Sequence, residues 1–317
     1  MILALERARI FVGATAPNPP VGAVGLAADG TVLSVQAHER AGTGHAEARV
    51  IEECRALGRL HELHTVVVTL EPCNHEGRTP ACSEALLQAG VKKVIYGADD
   101  PNPRVVGGGA GRLRQAGVEV IQDPKHQEAC AELIRTFSHW SRTGLPWVTV
   151  KTAWNLQGSM VPEVGAKTFT TPESLRFAHE LRKRADALIT GSGTVLSDSP
   201  LFTVRQVEDH PEKKRILVLL DRRKRVSAEW KLAAENRGFE VVDDLDLEGA
   251  LYNLGQRGCL EALVEAGPEL SGAILSSGFW NSHVQIRQIT PSLDRIEISN
   301  HVHWNHPKSR AGHFKQL

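Results

Sequence analysis

The sequence lacks an excess of either charge: Lys+Arg and Asp+Glu both total 37 across 317 residues, so the formal net charge is zero. Non-specific attraction to nucleic acid or to an anionic membrane is therefore weak. Divided near residue 144, neither part is strongly basic, and two tyrosines are few for a nucleic-acid groove. Cysteine is sparse as well. Five in the chain (Cys54, Cys73, Cys82, Cys130 and Cys259) exclude a disulfide framework. Nothing approaches the roughly 18 apolar residues of a membrane span. Glu6, Arg7 and Arg9 also interrupt the apolar opening before a signal-peptide core forms. Internal repeats and low-complexity tracts are missing too. The expectation is a cytoplasmic protein in a reducing compartment, with a small-molecule partner and neither membrane nor nucleic acid.

What is present is ordinary globular composition, 41% hydrophobic and 23% charged. At about 150 residues per domain, the length predicts two domains. Short apolar runs at 21–27 and 31–37 flank Asp29-Gly30, a hairpin signal. Helical spacing at 45–57 precedes a buried strand at 65–70. A helix at 82–89, strands at 93–98 and 118–121, and helices at 111–117 and 125–140 follow. Gly144 and Pro146 break the pattern, which places a boundary near residue 144. The second part resumes with strands at 147–153, 186–190, 215–220 and 260–265 and helices at 172–184, 248–257 and 268–276. Such alternation implies two layered α/β domains with mostly parallel sheets.

The first chemical signal is Gly44-His45-Ala46-Glu47 at a predicted helix start, followed by Glu71-Pro72-Cys73 at a strand end and Cys82 beyond it. One imidazole and two thiolates make a tetrahedral zinc site with an open fourth position, the catalytic arrangement. Such a metal brings its bound water to a pKa of ~7. Glu47, near the metal but not on it, is placed to carry protons from that water to a ring nitrogen and a departing ammonia. Taken singly, each cysteine reads as core and His45 as surface; together the metal reading prevails. His75 is a rival ligand. The pattern is the H-x-E and P-C-x-x-C signature of zinc nucleobase deaminases, with a longer interval between the cysteines.

That longer interval carries a resemblance. The stretch TLEPCNHEGRTPACSEAL (69–86), with APNPPVGAV (16–24), HERAGTGHAE (38–47) and DPNPRVVGGG (100–109), closely resembles the deaminase half of bifunctional riboflavin-biosynthesis deaminase–reductases. The resemblance implies a cytidine-deaminase-like three-layer α/β domain over residues 1–144, then a dihydrofolate-reductase-like α/β domain over 145–317. It implies hydrolytic deamination of a diaminopyrimidinone bearing a phosphorylated ribosylamino group, with Zn2+ on His45, Cys73 and Cys82 and Glu47 as proton shuttle. Asn18, His38, His75 and Arg78 match substrate contacts. Asn18 suits the polar edge of a pyrimidine and Arg78 a phosphate. Asn18 and Asn102 also read as turn formers before proline. A tRNA-type base deaminase is the enzymatic rival, and neutral charge opposes it.

The second half matches over PWVTVKTAWNLQG (146–158), LRKRADALITGSGTVLSDSPLFTVR (181–205) and LVEAGPELSGAILSSGFW (263–280). The resemblance implies NADPH near Thr194, Asp198 and Gly267, reduction of the ribose to ribityl, and substrate contacts at Lys151, Arg182, Arg205 and Glu265. A homo-oligomer through the second domain is expected. Gln157 replaces an Asp in Ser-Leu-Asp-Gly, Lys167 and Phe169 replace a Ser and a Trp, and the stretch after Phe279 departs from the closing strands. Two readings stand for this domain: a working NADPH-dependent reductase, and a non-catalytic scaffold or relative acting in a specialised pyrimidine pathway. Arg222–Arg225 suits either a 2′-phosphate or a solvated loop. His301, His303, His306 and His313 suit either a metal or an exposed tail.

Overall fold

The computed structural model describes residues 1–74, 81–102, 108–162 and 168–301. Two compact units divide it, Met1–Arg142 and Thr143–Leu317. The first contains α1 (Ile2–Arg9), β1 (Gly22–Leu26), β2 (Val32–Ala37), α2 (Ala46–Ala56), β3 (Thr65–Leu70), α3 (Cys82–Gln88), β4 (Lys93–Ala98), α4 (Gly108–Gln115), β5 (Glu119–Gln122), α5 (Gln127–Leu133) and α6 (Arg135–Thr143). Its sheet runs β2-β1-β3-β4-β5, antiparallel across the first two pairings and parallel across the last two. Asp29-Gly30 turns the hairpin: Gly30 has φ 89° and Asp29 Oδ1 accepts from Thr31 N at 2.9 Å.

Strand β3 is buried at every position, which explains its unbroken apolar run. Val66 and Val68 pack with Val50 and Ile51 of α2 and Leu86 of α3, whereas Val67 joins Ala4 of α1. Alternate residues thus face helices on both sides of one sheet. The sequence expectation of a single helix over 125–140 is corrected to two, α5 and α6. Ile134, with φ −104° and ψ 13°, leaves the helical region while burying its side chain in the core.

The second unit holds β6 (Trp147–Trp154), α7 (Pro172–Arg184), β7 (Ala187–Gly191), α8 (Ser192–Asp198), β8 (Arg215–Leu220), α9 (Ala228–Asn236), β9 (Phe239–Val242), α10 (Leu247–Gln256), β10 (Glu261–Glu265), α11 (Pro268–Ser277), β11 (Ser282–Thr290) and β12 (Leu293–Asn300). Its sheet runs β12-β11-β6-β10-β7-β8-β9, parallel except for the β11–β12 pair. Thr171 caps α7 by accepting from Ser174 N, with Pro172 at the first helical position. Beyond Phe279, where the sequence pattern departs from closing strands, the chain forms β11 and β12.

Candidate functional site

His45 occupies the N-cap position of α2, Cys82 opens α3, and Cys73 lies just past β3. The fold brings these three together. His45 Nδ1 is 3.3 Å from Cys82 Sγ and 3.6 Å from Cys73 Sγ, and all three ligand atoms lie within 4.8 Å of one another. The Cys82 N–H donates to Cys73 Sγ at 3.3 Å. That N–H, at the start of α3, favours negative sulfur. One nitrogen and two soft sulfurs fit zinc and leave its fourth position for water. Among the described residues no second such cluster of His, Cys, Asp and Glu forms.

The turn carrying Cys73 is fixed from both sides. Ser83 N donates to Cys73 O at 3.1 Å and Ser83 Oγ to Asn74 Oδ1 at 2.7 Å. Buried Glu71 accepts from Ala110 N at 3.1 Å, which ties the turn to the start of α4. There Gly109 packs so closely that an added Cβ would lie 1.7 Å from Pro72 O. Sequence reasoning missed the role of Glu71 because its partner is a backbone N–H.

Glu47 is 3% exposed, and burial, followed by the Cys73 charge, raises its carboxyl to about 7. Hydrogen bonding from Cys82, working against burial, brings Cys73 down to about 4, while Cys82 is pushed well above its usual value. Zinc bound between them would hold both as thiolates. The His38 ring meets His45 edge-on at 5.4 Å between centroids. His38 Nδ1 lies 3.2 Å from Gly44 O and Nε2 lies 3.1 Å from Asn18 Nδ2. A neutral ring donating from Nδ1 and accepting at Nε2 satisfies both contacts, and burial lowers its pKa in agreement. His75 and Arg78 lie outside the described residues. Asn102 donates its N–H to Asp100 Oδ1 at 2.9 Å, a turn contact.

In the second unit, Glu265 ends β10 and is 6% exposed. Arg182 of α7 grips it through Nε at 3.0 and 3.1 Å and Nη2 at 2.7 Å, and Lys151 Nζ stands 3.7 Å away. Burial opposes ionisation, yet Arg182 and Lys151 together hold Glu265 down at about 2. Thr194 Oγ1 accepts from Gly267 N at 2.9 Å, joining the start of α8 to the N-cap of α11. Asp198 is exposed at the end of α8, apart from this contact. Arg205 is exposed, and its backbone N–H donates to His179 Nδ1 at 2.8 Å. His179, 1% exposed, was also missed; its position three residues before Arg182 in a helical pattern was the available signal.

Of the departures, Gln157 and Phe169 sit in loops. Buried Asn155 accepts from Gln157 N (3.1 Å) and Ser159 N (2.8 Å), so it orders its own turn. Gln157 is exposed, Phe169 O accepts from Gln288 Nε2 at 3.0 Å, and Lys167 lies outside the described residues. Arg222–Arg225 are exposed, with Arg225 donating to Ser192 Oγ at 2.9 Å. His301 stacks on Trp280 at 4.9 Å, while His303, His306 and His313 lie outside the described residues.

The RibD C-terminal domain family model matches residues 146–286, and the cytidine and deoxycytidylate deaminase zinc-binding region matches 1–98. The riboflavin biosynthesis protein RibD of Mycobacterium tuberculosis (strain ATCC 25618 / H37Rv) is 36% identical, covering 89% of this chain and 81% of its own length. The RibD of Escherichia coli (strain K12) is 34% identical, covering 88% and 83%. A solved Thermotoga maritima structure, a diaminohydroxyphosphoribosylaminopyrimidine deaminase/5-amino-6-(5-phosphoribosylamino)uracil reductase, superposes with TM-score 0.80 at 31% identity. It covers 90% of this chain and 85% of its own.

Proposed function

The chain belongs to the RibD family of riboflavin-biosynthesis proteins, a zinc-binding deaminase domain followed by an NADPH-using reductase domain, and on that premise we propose how its residues divide the work. Residues 1–144 deaminate a diaminopyrimidinone ribosylamino 5′-phosphate, and residues 145–317 reduce the ribose of the product to ribityl. His45, Cys73 and Cys82 hold zinc, which when bound supplies a water acidified to a pKa of ~7. Glu47 moves the protons: it accepts from water and delivers to the ring nitrogen and the leaving ammonia. Burial beside the ligands suits it to do so near neutral pH. Asn18 and His38, already hydrogen-bonded to each other, orient the pyrimidine. His75 and Arg78 complete the contacts, Arg78 on the phosphate.

In the reductase half, Lys151, Arg182 and Glu265 form a charged frame for the ribose, and Arg205 takes its phosphate. Thr194, Gly267 and Asp198 hold NADPH, the hydride donor. Homo-oligomerisation through this half is supported by the edge strand β12, where Leu293, Ile296 and Ile298 are exposed. The single observation that carries the deaminase reading is the convergence of His45, Cys73 and Cys82 with buried Glu47 beside them. The test is ammonia release from the phosphorylated diaminopyrimidinone by the zinc-loaded chain, followed by loss of NADPH absorbance. Ammonia without NADPH, then NADPH oxidation, is the expected order. No ammonia from zinc-loaded protein contradicts the reading.

A further inference from the structure

Residues 199–206, which bring Arg205 to the surface, have an unusual backbone. Ser199 and Phe202 have φ of 42° and 58°, a region non-glycine residues rarely enter, and Phe202 is 2% exposed in the core. Such a conformation persists only where its surroundings enforce it. Two side chains of α7 do so. Arg182 Nη1 donates to Thr203 O at 3.2 Å, and His179 Nδ1 accepts from the N–H of Arg205 at 2.8 Å and of Gln206 at 3.4 Å. The Arg205 guanidinium turns its Nη1 back onto Thr203 O and Oγ1, at 3.3 and 2.7 Å. It therefore moves with this segment rather than swinging free of it.

We propose that His179 is a positioning residue for the substrate phosphate. Its Nδ1 lone pair holds the Arg205 backbone and thereby aims the Arg205 guanidinium beside the Lys151–Arg182–Glu265 frame. The proposal rests on the reading of Arg205 as the phosphate contact. An imidazole suits the task because it accepts only while neutral. The short contact to Arg205 N puts the ring proton on Nε2, so the 3.5 Å approach of Arg182 Nη1 to Nε2 is not a hydrogen bond. Burial, and then the charges of Arg182 and Arg205, lower the ring to about 4, so it stays an acceptor at neutral pH.

The test measures binding of 5-amino-6-(5-phosphoribosylamino)uracil to the full chain by calorimetry. H179L keeps bulk but removes the acceptor, and its affinity is expected to fall about tenfold, equivalent to about 1.4 kcal/mol. H179N places Oδ1 where Nδ1 was and is expected to bind within about twofold of wild type. NADPH affinity stays constant in both. Combining H179L with R205Q should weaken binding no further than R205Q alone, since both act through one contact. If H179L does not fold, H179Q, whose acceptor sits one bond farther out, is expected to show the tenfold loss. Wild-type affinity in H179L or H179Q, failure of H179N to restore binding, or additive losses would overturn the proposal. Wild-type protein that does not bind the pyrimidine at all would instead remove the substrate reading, and the proposal with it.

Discussion

Replacing Glu265 by Gln removes the one carboxylate that Arg182 and Lys151 share, in a site only 6% exposed. The carboxyl is held at about 2 against a reference of 4.5. At 1.36 kcal/mol per pKa unit, this difference corresponds to about 3 kcal/mol of stability at pH 7. Because the folded value is depressed, the contribution is fully present above pH 4.5 and is lost as pH falls towards 2. Near pH 3 somewhat less than half of this should remain. Urea unfolding read by tryptophan emission suits the measurement, since Trp147, Trp154, Trp230 and Trp280 lie in this unit. The gap between wild type and E265Q should be about 3 kcal/mol at neutral pH and narrow on acidification. A gap below about 1 kcal/mol at pH 7, or one that widens towards pH 3, refutes the reasoning.

Gly109→Ala forces a Cβ into Pro72 O and should lower both zinc retention and melting temperature; an unchanged zinc content on dialysis against a chelator contradicts the clamp on the Cys73 turn. Arg78→Ala should raise KM for the phosphorylated pyrimidine and leave the dephosphorylated compound unaffected. Equal effects on both would place Arg78 elsewhere. NADPH should bind more tightly than NADH by calorimetry, with hydride transfer slower than deamination, because the Thr194–Gly267 contact is formed whereas Gln157, Lys167 and Phe169 depart from the residues of the resembling family. No NADPH binding would favour the scaffold reading; hydride transfer as fast as deamination would make the departures harmless.

The parts legible in the sequence are those with local signals. Asp29-Gly30 marked the hairpin through backbone chemistry, and His45, Cys73 and Cys82 were readable because few other constraints put those residue types at a helix start and a strand end. What escaped depends on contacts between segments far apart in the chain. His179 accepts from a backbone N–H 26 positions away, and Glu71 from one 39 positions away. The break between α5 and α6 follows from burying Ile134, which no helix stop residue announces. Strand β12 was obscure because nearly all of it is exposed, so no buried apolar face marks it. The reductase-side departures looked severe as letters. Asn155, however, orders its own turn through two backbone contacts.

The central claim is that Glu47 moves the proton at a zinc site held by His45, Cys73 and Cys82. Its most direct test is Glu47→Gln, a near-isosteric change, assayed for zinc by metal analysis and for ammonia release under single-turnover conditions. The account predicts one zinc per chain, as in wild type, with ammonia release reduced at least about 100-fold. Full zinc content with wild-type ammonia release would contradict it.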